Sequence, residues 1–301
     1  MNRSIVTVSL ALLVAAASSA AADTVAAPDG VPIVYEVRGE AEAGEPSLVF
    51  VHCWGCDRTY WREQLDAFAA DYRVVAMDLA GHGESGVERE TWSVPGLAGD
   101  VEAVADALGL ERMILIGHSM GGPVSLEAAR RMPGRVVGVV AIDTLHNADY
   151  EFPPDQVAQL VGAFEADFTT TVAGFIRGMY QPGADPAVVD WTVKKAQGTN
   201  QEAAIALMRD FGSIDFPAMF SAAKVPIRAI NAAPAGPMQP VTEVEINRKY
   251  ADFDVVLVEG VGHFLQLERP AEFNVRLREV VAELAAAAPA RAPAPPPEPE
   301  D

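Results

Sequence analysis

Short, continuous apolar runs alternate with stretches of helical periodicity along most of this chain. Residues 33–37, 48–51, 74–77, 113–116, 136–142, 225–230 and 255–258 are dominated by Val, Ile and Leu, which predicts strands. Most lack a polar face, as expected of strands covered on both sides of a sheet. Between them, residues 59–70 carry Trp61, Leu65 and Phe68 at helical spacing. Residues 94–108 alternate acidic and apolar faces up to Gly109, and residues 123–132 and 272–285 predict two further helices. Strands that alternate with helices imply an α/β fold with a doubly wound, mainly parallel sheet. No internal repeat interrupts this order.

Residues 148–224 break the rhythm. Turn signals at Pro153-Pro154, Gln181-Pro182-Gly183 and Gln197-Gly198 separate several helical stretches, without a strand pattern. The segment is rich in Phe, Trp and Met, and it falls between two predicted core strands. It is expected to be a helical cap that packs on the core and leaves an apolar pocket at the junction, where ligand clefts form. The expected organisation is a signal peptide over 1–22, core over 23–147, cap over 148–224, core over 225–286, and a Pro/Ala-rich acidic tail over 287–301 that cannot build a core.

The start of the chain reads as a targeting segment. Met1-Asn2-Arg3 is followed by an uncharged apolar run over 5–17, then by small residues up to Ala22. The run is short for a membrane span. Cleavage after Ala22 and export to the periplasm or the outside are expected, with no stable membrane insertion afterwards. A net charge of −20 argues against nucleic acid as a partner, because that needs a basic footprint. The two cysteines, Cys53 and Cys56, stand as C-x-x-C, and three readings remain open: packing thiols, a disulfide permitted by export, or metal and redox chemistry. A metal would need further ligands, and the sequence has no second C-x-x-C or clustered His pair.

The chemistry is concentrated in residues 115–122, Leu-Ile-Gly-His-Ser-Met-Gly-Gly. A predicted strand, a G-x-S-x-G turn centred on Ser119, and a predicted helix follow one another directly, which is the setting in which that pentapeptide exposes a nucleophile. Three other segments carry the same resemblance: 48–54 (Leu-Val-Phe-Val-His-Cys-Trp), 74–86 (Val-Val-Ala-Met-Asp-Leu-Ala-Gly-His-Gly-Glu-Ser-Gly) and 255–264 (Val-Val-Leu-Val-Glu-Gly-Val-Gly-His-Phe). In that order, the four resemble the α/β-hydrolase superfamily over roughly 30–147 and 225–284.

The resemblance implies a serine hydrolase without a cofactor, acting on a small-molecule ester through an acyl-enzyme. Ser119 would be the nucleophile and His263 the base. The backbone N–H groups of Trp54 and Met120 would form the oxyanion hole. His52 would support that loop, His118 would point away from the pocket, and Asp78, His82 and Ser85 would be scaffold. An aspartate nucleophile serves the dehalogenases and epoxide hydrolases of this fold, so Ser119 argues against both; carbon–carbon bond hydrolysis or perhydrolase activity stays open. The triad acid departs from the common pattern, because the loop after the 225–230 strand, Asn231-Ala-Ala-Pro-Ala-Gly-Pro-Met-Gln239, has no carboxylate. Asp143, at the end of the 136–142 strand, is the expected substitute, with helix capping or loop anchoring as its structural alternative. Glu243, Glu245 and Asp149 are outside candidates. Trp54, His146, Met179 and Phe211 are expected around the pocket. A binding protein on a hydrolase scaffold is the rival, and the empty acid loop is its support.

Overall fold

Apolar residues of alternating parity meet two different helical layers. Leu48 and Phe50 join a core beneath the long C-terminal helix, whereas Val49 and Val51 join the core on the opposite face. With helices on both sides, neither parity can be polar, which explains the unbroken Val and Ile runs. In the computed structural model, which describes residues 22–287 apart from 41, 43 and 236–239, these runs form one sheet. The expected signal peptide, apart from Ala22, and the expected tail beyond Ala287 lie outside the described residues.

The strands are β1 (Asp23–Ala26), β2 (Pro32–Arg38), β3 (Ser47–Val51), β4 (Val74–Met77), β5 (Met113–His118), β6 (Val136–Ile142), β7 (Ile227–Ala233) and β8 (Phe253–Glu259). Their spatial order is β1-β2-β4-β3-β5-β6-β7-β8. β1 and β2 are antiparallel, β2 is antiparallel to β4, and every pair from β4 to β8 is parallel. The helices are α1 (Arg62–Phe68), α2 (Val94–Ala107), α3 (Gly121–Arg131), α4 (Pro154–Ala166), α5 (Phe168–Arg177), α6 (Pro186–Gln197), α7 (Gln201–Phe211), α8 (Phe216–Ala223), α9 (Val244–Asn247), α10 (Leu265–Glu268) and α11 (Pro270–Ala287). This is the α/β-hydrolase fold: a mainly parallel, doubly wound sheet with the helices α4 to α8 inserted as a cap between β6 and β7.

Local sequence explains the cap's segmentation. Asp167, Asp185, Asn200 and Asp215 each accept a hydrogen bond from a backbone N–H in the first turn of α5, α6, α7 and α8. Each polar side chain thereby satisfies a donor that the helix leaves open and fixes where it starts. Lys195 of α6 pairs with Asp57 at 2.6 Å, linking cap to core.

Some boundaries differ from the sequence pattern. β1 is short and largely exposed, so it has no apolar run to reveal it. β7 starts at Ile227 and continues through Asn231 to Ala233, because register with β8 carries it past its apolar stretch. The single helix expected over 59–70 begins as a 3₁₀ turn, Arg58–Trp61, capped by Asp57, and only then becomes α1.

Candidate active site

The open ends of the parallel strands collect the chemistry-bearing residues, as expected for ligand sites of doubly wound sheets. Ser119 sits between β5 and α3 with φ of +53°, in the left-handed region. Its N–H donates to the Ile142 carbonyl at 3.0 Å, and its own carbonyl accepts from Gly122 N–H at 2.8 Å. A Cβ at Gly117 would stand 2.1 Å from the Gly121 carbonyl oxygen, and one at Gly121 would stand 2.4 Å from that of Val51. Glycine is thus required at both positions for the turn to close over β3. A left-handed serine costs on the order of 1 kcal/mol or more, sustained by these fixed contacts.

His263 follows β8 and meets Asp143, which follows β6. The imidazole Nδ1 and the Asp143 Oδ2 are 2.7 Å apart, with Nδ1–H as donor. Asp143 is also left-handed, with φ of +45°. Its Oδ1 accepts from the Ala232 N–H of β7 at 2.8 Å. Burial would raise the pKa of this carboxyl, but the hydrogen bond and charge interaction with His263, helped by His146 and the Ala232 N–H, outweigh it and lower the pKa. The residue is therefore ionised at neutral pH.

The histidine loop is held from two sides. His263 N–H donates to the Met179 carbonyl of the cap at 2.9 Å. Its carbonyl meets His118 Nε2 at 2.8 Å, while Gln266 Nε2 lies 3.1 Å from His118 Nδ1. The amide nitrogen can only donate, so Nδ1 accepts and Nε2–H is directed at the His263 carbonyl. Burial depresses the His118 pKa to about 3, which keeps this ring neutral beneath the loop.

Trp54 and Met120 line the same cavity as Ser119. Among the described residues no protein acceptor engages the N–H of either. Met120 precedes the first turn of α3, where backbone donors are unpaired and the helix dipole favours negative charge. The Trp54 loop is fixed by His52, whose Nε2 accepts from Leu79 N–H at 2.9 Å and whose Nδ1–H donates to the Cys53 carbonyl at 2.8 Å. Cys53 and Cys56 form a disulfide around Trp54. The Trp54 indole N–H donates to the Ala204 carbonyl of α7 at 2.8 Å, and its ring packs on Phe164 and Phe175.

The cavity measures about 690 Å³ and lies between core and cap. Ser119, Asp143, His146, Met179, Phe211 and His263 all line it, and among the described residues no Lys, Arg or Glu does. The remaining sequence candidates lie elsewhere. Glu243, at the start of α9, and Glu245, within it, are exposed, and Asp149 is exposed and accepts from the Tyr250 hydroxyl. Asp78 accepts from the Arg58 and Glu84 N–H groups, and the Ser85 hydroxyl donates to the Asp78 carbonyl, so both hold loops. No cluster of three or more His, Cys, Asp or Glu able to hold a metal occurs among the described residues.

Sequence reasoning missed Asn231, Thr144 and Thr242. Asn231 is fully buried in β7 and binds Thr144, His146 and Thr242. An amide inside an otherwise apolar strand was the available signal, since a buried polar group demands partners.

The alpha/beta hydrolase family profile matches residues 48–276. A dihydrolipoyllysine-residue acetyltransferase component of an acetoin cleaving system from Cupriavidus necator is 35% identical over 131 residues, covering 44% of this chain and 34% of that protein. Epoxide hydrolase 4 of Mus musculus is 34% identical over 119 residues, covering 39% and 33%. The matched segments thus span about a third of these curated relatives. A thermophilic esterase from Thermogutta terrifontis has a similar structure, with a TM-score of 0.75 at 20% identity over 88% of this chain and 100% of that one.

Proposed function

The chain belongs to the alpha/beta hydrolase family, and on that premise we propose that it is a serine hydrolase that cleaves neutral carboxylic esters through an acyl-enzyme. The observation that carries this reading is the 2.7 Å contact between His263 and Asp143 at the wall of a cavity that Ser119 also lines. Asp143 fixes the proton on Nδ1, which makes Nε2 the nitrogen that accepts the Ser119 proton. The Ser119 oxygen then attacks the ester carbonyl, and the oxyanion is held by the Trp54 and Met120 N–H groups. His263 passes the proton to the leaving alcohol. Water, deprotonated by the same imidazole, releases the acid and restores Ser119. Asp143 supplies the carboxylate that the loop after β7 lacks, and that takes away the support for a binding protein without turnover.

The cavity suggests the substrate's character. Its aromatic and aliphatic walls suit small to medium apolar groups, and with no Lys or Arg among the described lining residues they offer no counter-ion to a carboxylate. Hydrolysis of p-nitrophenyl butyrate is the test. The expected outcome is turnover that Ser119→Ala reduces by about 10⁶-fold in kcat, as loss of a triad nucleophile does. A p-nitrophenyl ester bearing a free carboxylate is expected to react at least tenfold more slowly. An active Ser119→Ala protein would sink the mechanism. We further propose that the mature protein is exported after cleavage behind Ala22. N-terminal sequencing of the exported protein should then begin at Asp23; an intact Met1 terminus would reject this.

A further inference from the structure

His146 is 95% buried, since only 5% of its surface is exposed, and it lies three residues beyond Asp143. Its Nδ1 faces the Thr242 hydroxyl at 2.9 Å and Asn231 Nδ2 at 3.2 Å. The orientation of the Asn231 amide is fixed by its own partners: Oδ1 accepts from Thr144 N–H at 3.2 Å, and Nδ2 faces the Thr144 carbonyl at 3.3 Å. Flipping it would set donor against donor and acceptor against acceptor. One N–H goes to the Thr144 carbonyl, and the other is directed between Thr242 Oγ1 at 3.1 Å and His146 Nδ1. A hydroxyl that accepts from Asn231 donates on to Nδ1, and a proton on Nδ1 would face the amide donor, so Nδ1 is an acceptor and the ring proton resides on Nε2. That Nε2 has no hydrogen-bond partner among the described residues, and it stands 3.8 Å from Asp143 Oδ1. At this distance the contact is electrostatic, not a hydrogen bond.

We propose that His146, locked as the Nε2–H tautomer by Asn231 and Thr242, is a positioning residue that stabilises the Asp143 carboxylate at Oδ1, the oxygen not held by His263. The inference rests on the proposed acyl-enzyme reading. It explains why a buried amide occupies β7 where the common pattern supplies an acid a few residues on: the strand anchors a second histidine against an acid provided by β6. It also accounts for an aspartate that stays charged although buried. His263 holds Oδ2, the Ala232 N–H holds Oδ1, and the Nε2–H dipole adds to the field at Oδ1. Burial disfavours the imidazolium form of His146, so a neutral dipole is what Asp143 meets.

Two measurements test this. Nitrogen NMR of the native protein labelled with ¹⁵N-histidine reads the tautomer without any substrate. His146 is expected with a bare Nδ1 and a protonated Nε2; a protonated Nδ1 overturns the proposal. Kinetics on p-nitrophenyl butyrate then separate positioning from substrate contact. His146→Phe keeps the ring volume and removes the N–H; kcat should fall about tenfold, or about 1.4 kcal/mol, with KM within about twofold. His146→Gln, which returns an N–H near the Nε2 position, should recover kcat to within about threefold. A loss confined to KM, or a Gln variant no better than Phe at equal melting temperature, overturns the role. An inactive wild type would reject the ester reading, while the tautomer measurement still decides the His146 geometry.

Discussion

The two residues proposed as nucleophile and acid, Ser119 and Asp143, are built into the fold in opposite ways. Ser119 is positioned mainly by a few consecutive residues, the end of β5, two glycines and the first turn of α3, with one backbone hydrogen bond to the Ile142 carbonyl of β6. Asp143 is positioned from afar. Its partners are His263 beyond β8, Ala232 of β7 and His146, which is itself held by Asn231 and Thr242. Both residues carry left-handed backbone, so both ends store strain, but the first is stabilised chiefly by its own turn against β3 and β6 and the second by side-chain partners from three strands. A local device survives changes elsewhere and fails from one extra methyl group. A distributed device tolerates single losses unless the central carboxylate goes.

That contrast can be broken at several points. The largest effect is expected from Asp143→Asn, which keeps the shape and the Ala232 contact but lets His263 take the wrong tautomer. A drop of about 10⁴-fold in kcat at unchanged melting temperature is expected, and a drop below tenfold would remove Asp143 from the triad. Gly117→Ala attacks the local end. Its Cβ must displace the Gly121 carbonyl, and misplacing the nucleophile by about 1 Å should cost about 10² in kcat. Unaltered kinetics would show that the turn is not as rigid as its contacts indicate.

Adding Asn231→Asp to the Asp143→Asn protein asks whether β7 can provide the acid instead. Recovery is expected to stay below about threefold, because that side chain is buried among Thr144, His146 and Thr242. Substantial rescue would mean that the acid position is interchangeable.

Acidity should strain the fold before it discharges Asp143. Burial depresses His52 to about 4 and His82 and His118 to about 3. The unfolded chain binds these protons near 6.5 and the native state does not. Stability therefore falls as pH drops from about 6.5 toward 4, by at most about 1.4 kcal/mol per histidine per pH unit. Asp100, raised to about 6 by burial, acts in the other direction: the native state protonates first, and stability is gained between about 6 and 4. Three imidazoles outweigh one carboxyl, so the melting temperature should decline between pH 6.5 and 4.5. A flat profile would mean that water reaches the buried rings. The smallest effect is expected from Trp54→Phe. Losing the indole bond to Ala204 should cost about 1 kcal/mol of stability, and kcat should fall only severalfold if the backbone N–H stays in place.

The alternation of apolar runs with helical stretches, the glycine-flanked serine and the Gly-Val-Gly-His segment can be read directly from the chain, because each is a short-range signal. A strand covered on both faces must be apolar throughout, and a tight turn must have glycine on either side of its serine. Asp143 is suggested by its place at the end of the strand after Ser119 and by the family resemblance, but nothing beside it in sequence distinguishes a triad acid from a loop anchor. The Asn231, Thr242 and His146 network was illegible for the same reason: its members are remote in sequence and meet only where β6 and β7 pair. The sequence by itself determined the layers, the elbow and the two residues proposed as nucleophile and base, Ser119 and His263. The tertiary structure decided which carboxylate reaches His263, how Cys53 and Cys56 are paired, and which side chains wall the cavity. Periodicity and turn chemistry act over a few residues, whereas a buried charge is settled by whichever donors the folded chain brings within 3 Å of it.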